Sequence, residues 1–349
     1  MSEQDQRVGI GGKAYQAGRD LVVQQGISPS QMADIMVSLA QTLTKYQADA
    51  MKVVEQRLSE FQSKVIDQFA DTNRADPSAF CDPDFQCLLN EAQSEYVRSG
   101  DSVLGDTLID IIARRSLEKG RNRLTLTLND AVNTACRLTH NEFASLSIVY
   151  VLKYTQNTSV ISFETLCRYL REGVMPFFDD LSSEQMSFSY LEARSCASIS
   201  LAEIKFPQLL SSIYGGALGH GVDRADIEAH LPDGRKDALD PFIIPCLHDA
   251  AKFQPNGLNS SVFTEATRNT ELPRDTIKNV WNVFANSIPS GDNLIQMLLP
   301  HVPNIDKLRD IWDSTPLRQL QLNSLGITIG HANAIRLVKF DGPLEAWIK

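Results

Sequence analysis

Residues 28–69 read SPSQMADIMVSLAQTLTKYQADAMKVVEQRLSEFQSKVIDQF, and whether this run is one helix or several elements decides the fold. Ser28 suits an N-cap, Pro29 the first helical position and Gln31 the third, the arrangement of a capping box. From there to Pro77 the chain holds neither proline nor glycine. Apolar residues recur at Met32, Ile35, Met36, Leu39, Leu43, Tyr46, Ala50, Val53, Val54, Leu58, Phe61, Val65 and Phe69. Those steps of three and four draw one stripe along a helix of about 40 residues, roughly 60 Å at 1.5 Å per residue. Successive steps of four from Ala50 to Val54 to Leu58 break a strict heptad, as a stutter does. Such a helix either packs as a long core element or serves over residues 28–75 as a stalk for self-association or a partner, and the stalk is the expectation carried forward.

Upstream, GIGGKAYQAGRD at residues 9–20 raises the prospect of a phosphate-cradling loop. A Walker A loop needs a hydroxyl beside its lysine to hold magnesium, but Ala14 follows Lys13 and Arg7 stands where the first glycine belongs. Gly9, Gly11 and Ala14 fit the relaxed dinucleotide spacing, yet only Val8 precedes them as a strand residue and Gly18 interrupts the helix that should follow. Alternation at residues 14–17 and 21–23 around Gly18 predicts instead a short β ribbon within residues 1–27. An isolated two-stranded ribbon is marginal in water, so it is expected to pair with other copies or with the rest of the chain.

The body, residues 76–349, is expected to be helical. Asp82 with Pro83 opens a segment stopped by Gly100, and Asp101 opens another stopped by Gly120. Asn129 is read as the cap of the next helix, and residues 124–128 (LTLTL) alternate like a strand without an obvious partner. Prolines at 232, 241, 245, 255 and 273 mark the most irregular stretch, and a subdivision is placed near 160–200. The fold expected is mainly α: a short N-terminal β ribbon, one long amphipathic helix, then a multi-helix body.

The chain carries 33 Lys and Arg against 43 Asp and Glu, a net charge of -10. Nucleic-acid binding relies on clustered cations that displace counterions, so this balance argues against it. Arg114, Arg115, Lys119, Arg121 and Arg123 form the densest basic stretch, read as solvated cations offsetting a helix C-terminus. The six cysteines include no C-x-x-C pair, which points away from zinc ribbons and redox motifs. The polar start lacks a signal-type apolar segment, and no apolar run approaches a membrane span, so a cytoplasmic protein without cofactor or metal is expected.

His248 and Asp249 resemble the His-Asp step of HD phosphohydrolases, with His220 lying 28 residues upstream as a candidate third ligand. Neutral imidazoles and carboxylates of this kind bind a divalent ion that activates water. Pro241 and Pro245 interrupt the helix that should present the pair, and Asp275 is only an available downstream carboxylate. The second grouping, His220, Asp223, Asp226, Glu228 and His230, is explained by helix capping and i,i+4 pairing. No nucleophile elbow such as G-x-S-x-G occurs. Gly326, Gly330 and Ala334 share one helical face and predict close backbone approach, with His331 and Asn333 needing partners if buried.

Gln16-Ala17-Gly18-Arg19-Asp20 resembles a short "QAGRD" β motif of bacterial conflict and defence proteins. With the long helix, residues 190–200 (YLEARSCASIS), Tyr214-Gly-Gly with Gly219-His-Gly, residues 325–333 and Trp347-Ile348, the chain is similar to an uncharacterised bacterial family. That resemblance implies a bacterial cytoplasmic protein of antiviral defence and supplies no functional residues. The function expected is a non-enzymatic homo-oligomeric interaction or sensor protein, associating through residues 8–70 and binding an unidentified protein partner. The alternative is a metal-dependent HD-type phosphohydrolase or nuclease using His220, His248 and Asp249.

Overall fold

A computed structural model describes residues 29–348 apart from 233, 234, 236, 339–341 and 343. Its helices are α1 (Pro29–Phe69), α2 (Pro83–Ser99), α3 (Ser102–Leu117), α4 (Arg123–Ala135), α5 (His140–Val149), α6 (Phe163–Tyr169) and α7 (Gln185–Ala193). They continue with α8 (Phe206–Leu218), α9 (Arg224–Glu228), α10 (Ser260–Ala266), α11 (Arg274–Ala285), α12 (Gly291–Leu298), α13 (Ile305–Ser314) and α14 (Ser324–Val338). The uninterrupted run from Pro29 forms a single helix of 41 residues, as its spacing predicts.

The chain divides into two compact units, Met1–Gln56 and Arg57–Lys349. In the first, the described residues are helical throughout and almost every side chain is exposed. In the second, Phe61, Val65 and Phe69 of the last turns of α1 are buried. Phe61 lies 5.4 Å from the ring of Tyr96, and Phe69 lies 4.9 Å from Phe80 and 6.1 Å from Phe85.

The β component requires correction. The described strands are β1 (Ala197–Ile199), β2 (Ile243–Pro245), β3 (Phe253–Pro255) and β4 (Leu320–Leu322), all mid-chain rather than in an N-terminal ribbon. Residues 8–25, where the ribbon was expected, lie outside the described residues. β1 pairs antiparallel with β4, and β2 with β3. Three-residue strands are too short to show alternation, and Pro245 and Pro255 at strand ends make their segments look irregular.

The alternating stretch at 124–128 belongs to α4. The Asn122 side chain caps it by accepting from the Thr125 backbone amide, while Leu124 and Leu128 fall on its buried face. Asn129 is therefore an interior helical residue rather than a cap. The two boundary signals around α2 hold: Asp82 accepts from the Asp84 amide, and Gly100 ends the helix at φ 66°. Asp101 caps α3 through Val103 and Leu104.

The basic stretch is corrected in part: Arg114 and Arg115 stand in the last turn of α3 and Lys119, Arg121 and Arg123 are exposed, as read, but Arg115 is not solvated. Arg115 is only 3% exposed and donates to Asp82 (3.2 Å), Asp84 (2.7 Å) and the Asn129 side-chain oxygen (3.2 Å). Arg114 pairs with Asp110 at 3.0 Å. Arg115 ties α3 to the start of α2 and to α4 because its guanidinium meets carboxylates far away in sequence, whereas Arg114 pairs within α3 itself.

Close approach at the small residues of α14 is as expected. A Cβ on Gly326 would overlap the carbonyl oxygen of Cys196, and one on Gly330 would lie 2.7 Å from that of Leu146 in α5. Asn333 donates to Ser147 at 2.8 Å across this contact, and the buried His331 ring meets the Gly342 carbonyl at 3.0 Å. A second hydrophobic cluster, centred on Ile227, Ile243, Phe263, Trp281 and Phe284, lies between α8 and α12 in sequence. Among the described residues, no helix is long and apolar enough to cross a membrane.

Candidate functional site

Residues 32–53 of α1 keep an alternating spacing of four and three: Met32, Met36, Leu39, Leu43, Tyr46, Ala50 and Val53. This is the a and d pattern of a coiled-coil seam, with Met36, Leu43 and Ala50 at a and Met32, Leu39, Tyr46 and Val53 at d. The seam stands in solvent. Leu39 is 56% exposed, Leu43 57% and Tyr46 64%, and the adjacent Ile35 is 51% exposed. Large apolar side chains in so continuous a row mark a surface suited to association.

The same heptad line, continued beyond Val53, meets Arg57, Glu60, Lys64 and Asp67. Three of these are engaged within the second unit. Arg57 donates to the carbonyls of Val97 (2.8 Å) and Arg98 (3.1 Å) at the end of α2. Glu60 accepts from the Tyr96 hydroxyl, and Lys64 pairs with Asp106 of α3 at 2.5 Å. Gly100 leaves room for the Arg57 guanidinium, which a Cβ there would overlap. The seam thus ends where charged residues begin, while the Val54, Leu58, Phe61, Val65 and Phe69 line takes over the apolar role. Sequence spacing shows the stutter; the engagement of Arg57 and Lys64 depends on residues about 40 positions away and leaves no periodic signal.

The His-Asp step occupies a different setting from the expected helix. His248 and Asp249 sit in the turn between β2 and β3. The structure brings His220 and His248 together, with ring centroids 5.1 Å apart, but turns Asp249 to accept from the Ala251 amide at 3.0 Å. His248 Nε2 lies 2.9 Å from the carbonyl of Ala217, in the last turn of α8. Burial, then the neighbouring His248 and Lys252, holds the His220 imidazole below its ordinary value. The Phe163 ring lies 5.3 Å from both His248 (tilted) and His301 (edge-on), two neighbours that sequence distance hides. The downstream Asp275 lies in the first turn of α11. No group of three His, Cys, Asp or Glu side chains is arranged to hold a metal among the described residues.

The smaller cluster near α9 is local, but not through the side-chain contacts expected. Asp223 stands at the N-cap position without a side-chain cap bond, and His230 Nδ1 lies 3.0 Å from the backbone carbonyl of Asp226 rather than its carboxylate. The Tyr214-Gly-Gly motif is a packing feature: Tyr214 kinks α8, its hydroxyl accepts from the Asn157 amide at 2.9 Å, and Gly216 lets the Gly257 backbone approach. A cleft of about 360 Å³ is lined by Lys64, Asp67, Arg74, Asp106, Asp110 and Arg336, with cations and carboxylates in balance, beside the apolar Ile109, Ala332 and Ile335.

A protein-family model matches residues 26–348, nearly the whole chain. No curated protein and no solved structure matches the chain.

Proposed function

The chain belongs to that uncharacterised family, and we propose that it is a non-enzymatic interaction protein that assembles with copies of itself through the helix over residues 29–56. The supporting observation is the exposed heptad seam from Met32 to Val53. A second copy suits this face because its flanks carry little charge: Ala33, Ala40, Gln47 and Val54 at e, and Ile35, Thr42, Asp49 and Gln56 at g. Like-charge repulsion across a homotypic interface is therefore slight. Area supports the same reading. The exposed seam offers several hundred Å² per copy, of the order of the about 800 Å² per partner that stable interfaces bury.

The finer setting, sensing of a protein partner within bacterial antiviral defence, rests on the resemblance carried by residues 16–23, which lie outside the described residues. The test of assembly is the mass of the full chain in solution, compared with a Leu39→Glu, Leu43→Glu variant. Both positions are exposed, so the carboxylates leave the second unit folded, and the variant is expected to run as a monomer. Equal masses for the two proteins would overturn the proposal.

One observation favours the alternative of a metal-dependent phosphohydrolase or nuclease, namely the adjacency of the His220 and His248 rings. Stoichiometric divalent metal in purified protein, together with metal-dependent phosphoester hydrolysis, both lost on His248→Ala, would support that reading. Metal content unaffected by His248→Ala would remove it.

A further inference from the structure

We infer that the assembled form is a bundle of three or more copies rather than a pair. The inference rests on the self-association proposed above and concerns how many copies the seam gathers. In a two-stranded coiled coil only a and d are covered, and flanking e and g positions carry charges that select the partner. Here the apolar face is wider. Ala33 and Ala40 at e and Ile35 at g flank the first two heptads. Ile35 is as open as the seam residues, 51% exposed, so pairing two helices through a and d alone would leave a large apolar side chain at the edge. A third helix covers e and g flanks that a second cannot.

The seam residues point the same way. Two strands are favoured by β-branched residues at a with leucine at d. In this chain the a positions are Met36, Leu43 and Ala50, none of them β-branched, while the β-branched Val53 stands at d. Asp49 is the one charge on either flank, and it lies 3.7 Å from Lys52 on its own helix. Nothing on the flanks supplies the complementary charge ladder that would stop assembly at two.

The test compares three full-length proteins by sedimentation equilibrium: the native chain, an e-position variant Ala33→Lys, Ala40→Lys, and an f-position control Gln41→Lys, Ala48→Lys. The two variants add the same charge at the same seven-residue spacing, so only the face differs. Lysine is a good helix former, so α1 persists in all of them. The native chain and the control are expected at three or more times the chain mass, and the e-position variant at twice that mass or less. A native dimer would overturn the inference while leaving self-association standing. A native monomer would overturn both. A native trimer or larger with an unshifted e-position variant would show that e is not covered, which overturns the flank packing on which the inference rests.

Discussion

Leu43 and Phe61 lie on one helix and within one sequence stripe, yet their truncation should have separate consequences. Phe61 is 1% exposed and packs on Tyr96, so Phe61→Ala should cost the second unit about 3–5 kcal/mol through lost burial and a residual cavity. Leu43 is 57% exposed. Its truncation should change the stability of that unit by less than about 0.5 kcal/mol. In the assembly, covering that exposed leucine surface is worth about 1.5 kcal/mol per copy. A three-copy bundle then loses about 4.5 kcal/mol, which raises its overall dissociation constant on the order of 1000-fold. The measurements separate cleanly because Trp281, Trp312 and Trp347 all belong to the second unit, so tryptophan fluorescence in urea reports that unit alone. Sedimentation equilibrium over a range of concentrations reports the assembly. If Leu43→Ala moved the fluorescence midpoint as far as Phe61→Ala, the stripe at 32–53 would be packing against its own body, and the reasoning would fail.

Other substitutions test the body. Gly330→Ala places a methyl 2.7 Å from the Leu146 carbonyl and should destabilise by about 1–3 kcal/mol; an unchanged urea midpoint would contradict the close approach. Arg57→Ala removes the donor to the Val97 and Arg98 carbonyls and should cost about 1–2 kcal/mol, with more exchange at the end of α2 as the readout. For pH, burial first, then Arg114, lowers the His331 imidazole to about 3 from an ordinary 6.5. The unfolded chain therefore takes up a proton near pH 6.5 that the fold resists until about 3, so this group's stabilisation is full above 6.5 and is lost on acidification. The contribution falls by up to about 1.4 kcal/mol per pH unit within that window. His331→Gln should flatten the stability-pH slope by one proton between pH 6 and 4, and an unaltered slope would exclude His331 as its source.

Long-range consequences were the least legible part of the sequence. α1, α2 and α3 could be read because caps, stops and a 3.6-residue period act locally, within a few positions. The 124–128 stretch misled because Leu-Thr alternation fits a strand in isolation, whereas Asn122 caps a helix whose buried face takes Leu124 and Leu128. Arg115 looked like one cation in a solvated run because its acidic partners lie about 30 residues earlier. At the His-Asp step, the sequence held His248 and Asp249 adjacent, but neighbours in a β turn point differently from neighbours on a helix. The ring partners of His248, His220 and Phe163, come from separate segments. By contrast, the exposed seam was visible as a stripe, and only its exposure needed the fold.

The change of register near residue 53 explains how one helix can carry two apolar faces. At 100° per residue, the seam line from Met32 to Val53 and the line from Val54 through Leu58, Phe61 and Val65 to Phe69 are about 70° apart around an ideal helix. A strict heptad continued to Phe69 would have put apolar residues at 57, 60 and 64 and left nothing on the first line to meet α2 and α3 through charge. Instead those positions are Arg57, Glu60 and Lys64, and each has a polar contact in that unit. Extending the seam past the stutter should therefore confuse the two faces. Replacing Arg57 and Lys64 with leucine would lengthen the seam by two a positions while stripping α2 and α3 of their ion and carbonyl partners. Tighter self-association with a less stable second unit is the expected pair of effects, measured by sedimentation and by tryptophan fluorescence in urea. A variant gaining stability in that unit, with its mass unchanged, would show that Arg57 and Lys64 do not set where the seam ends.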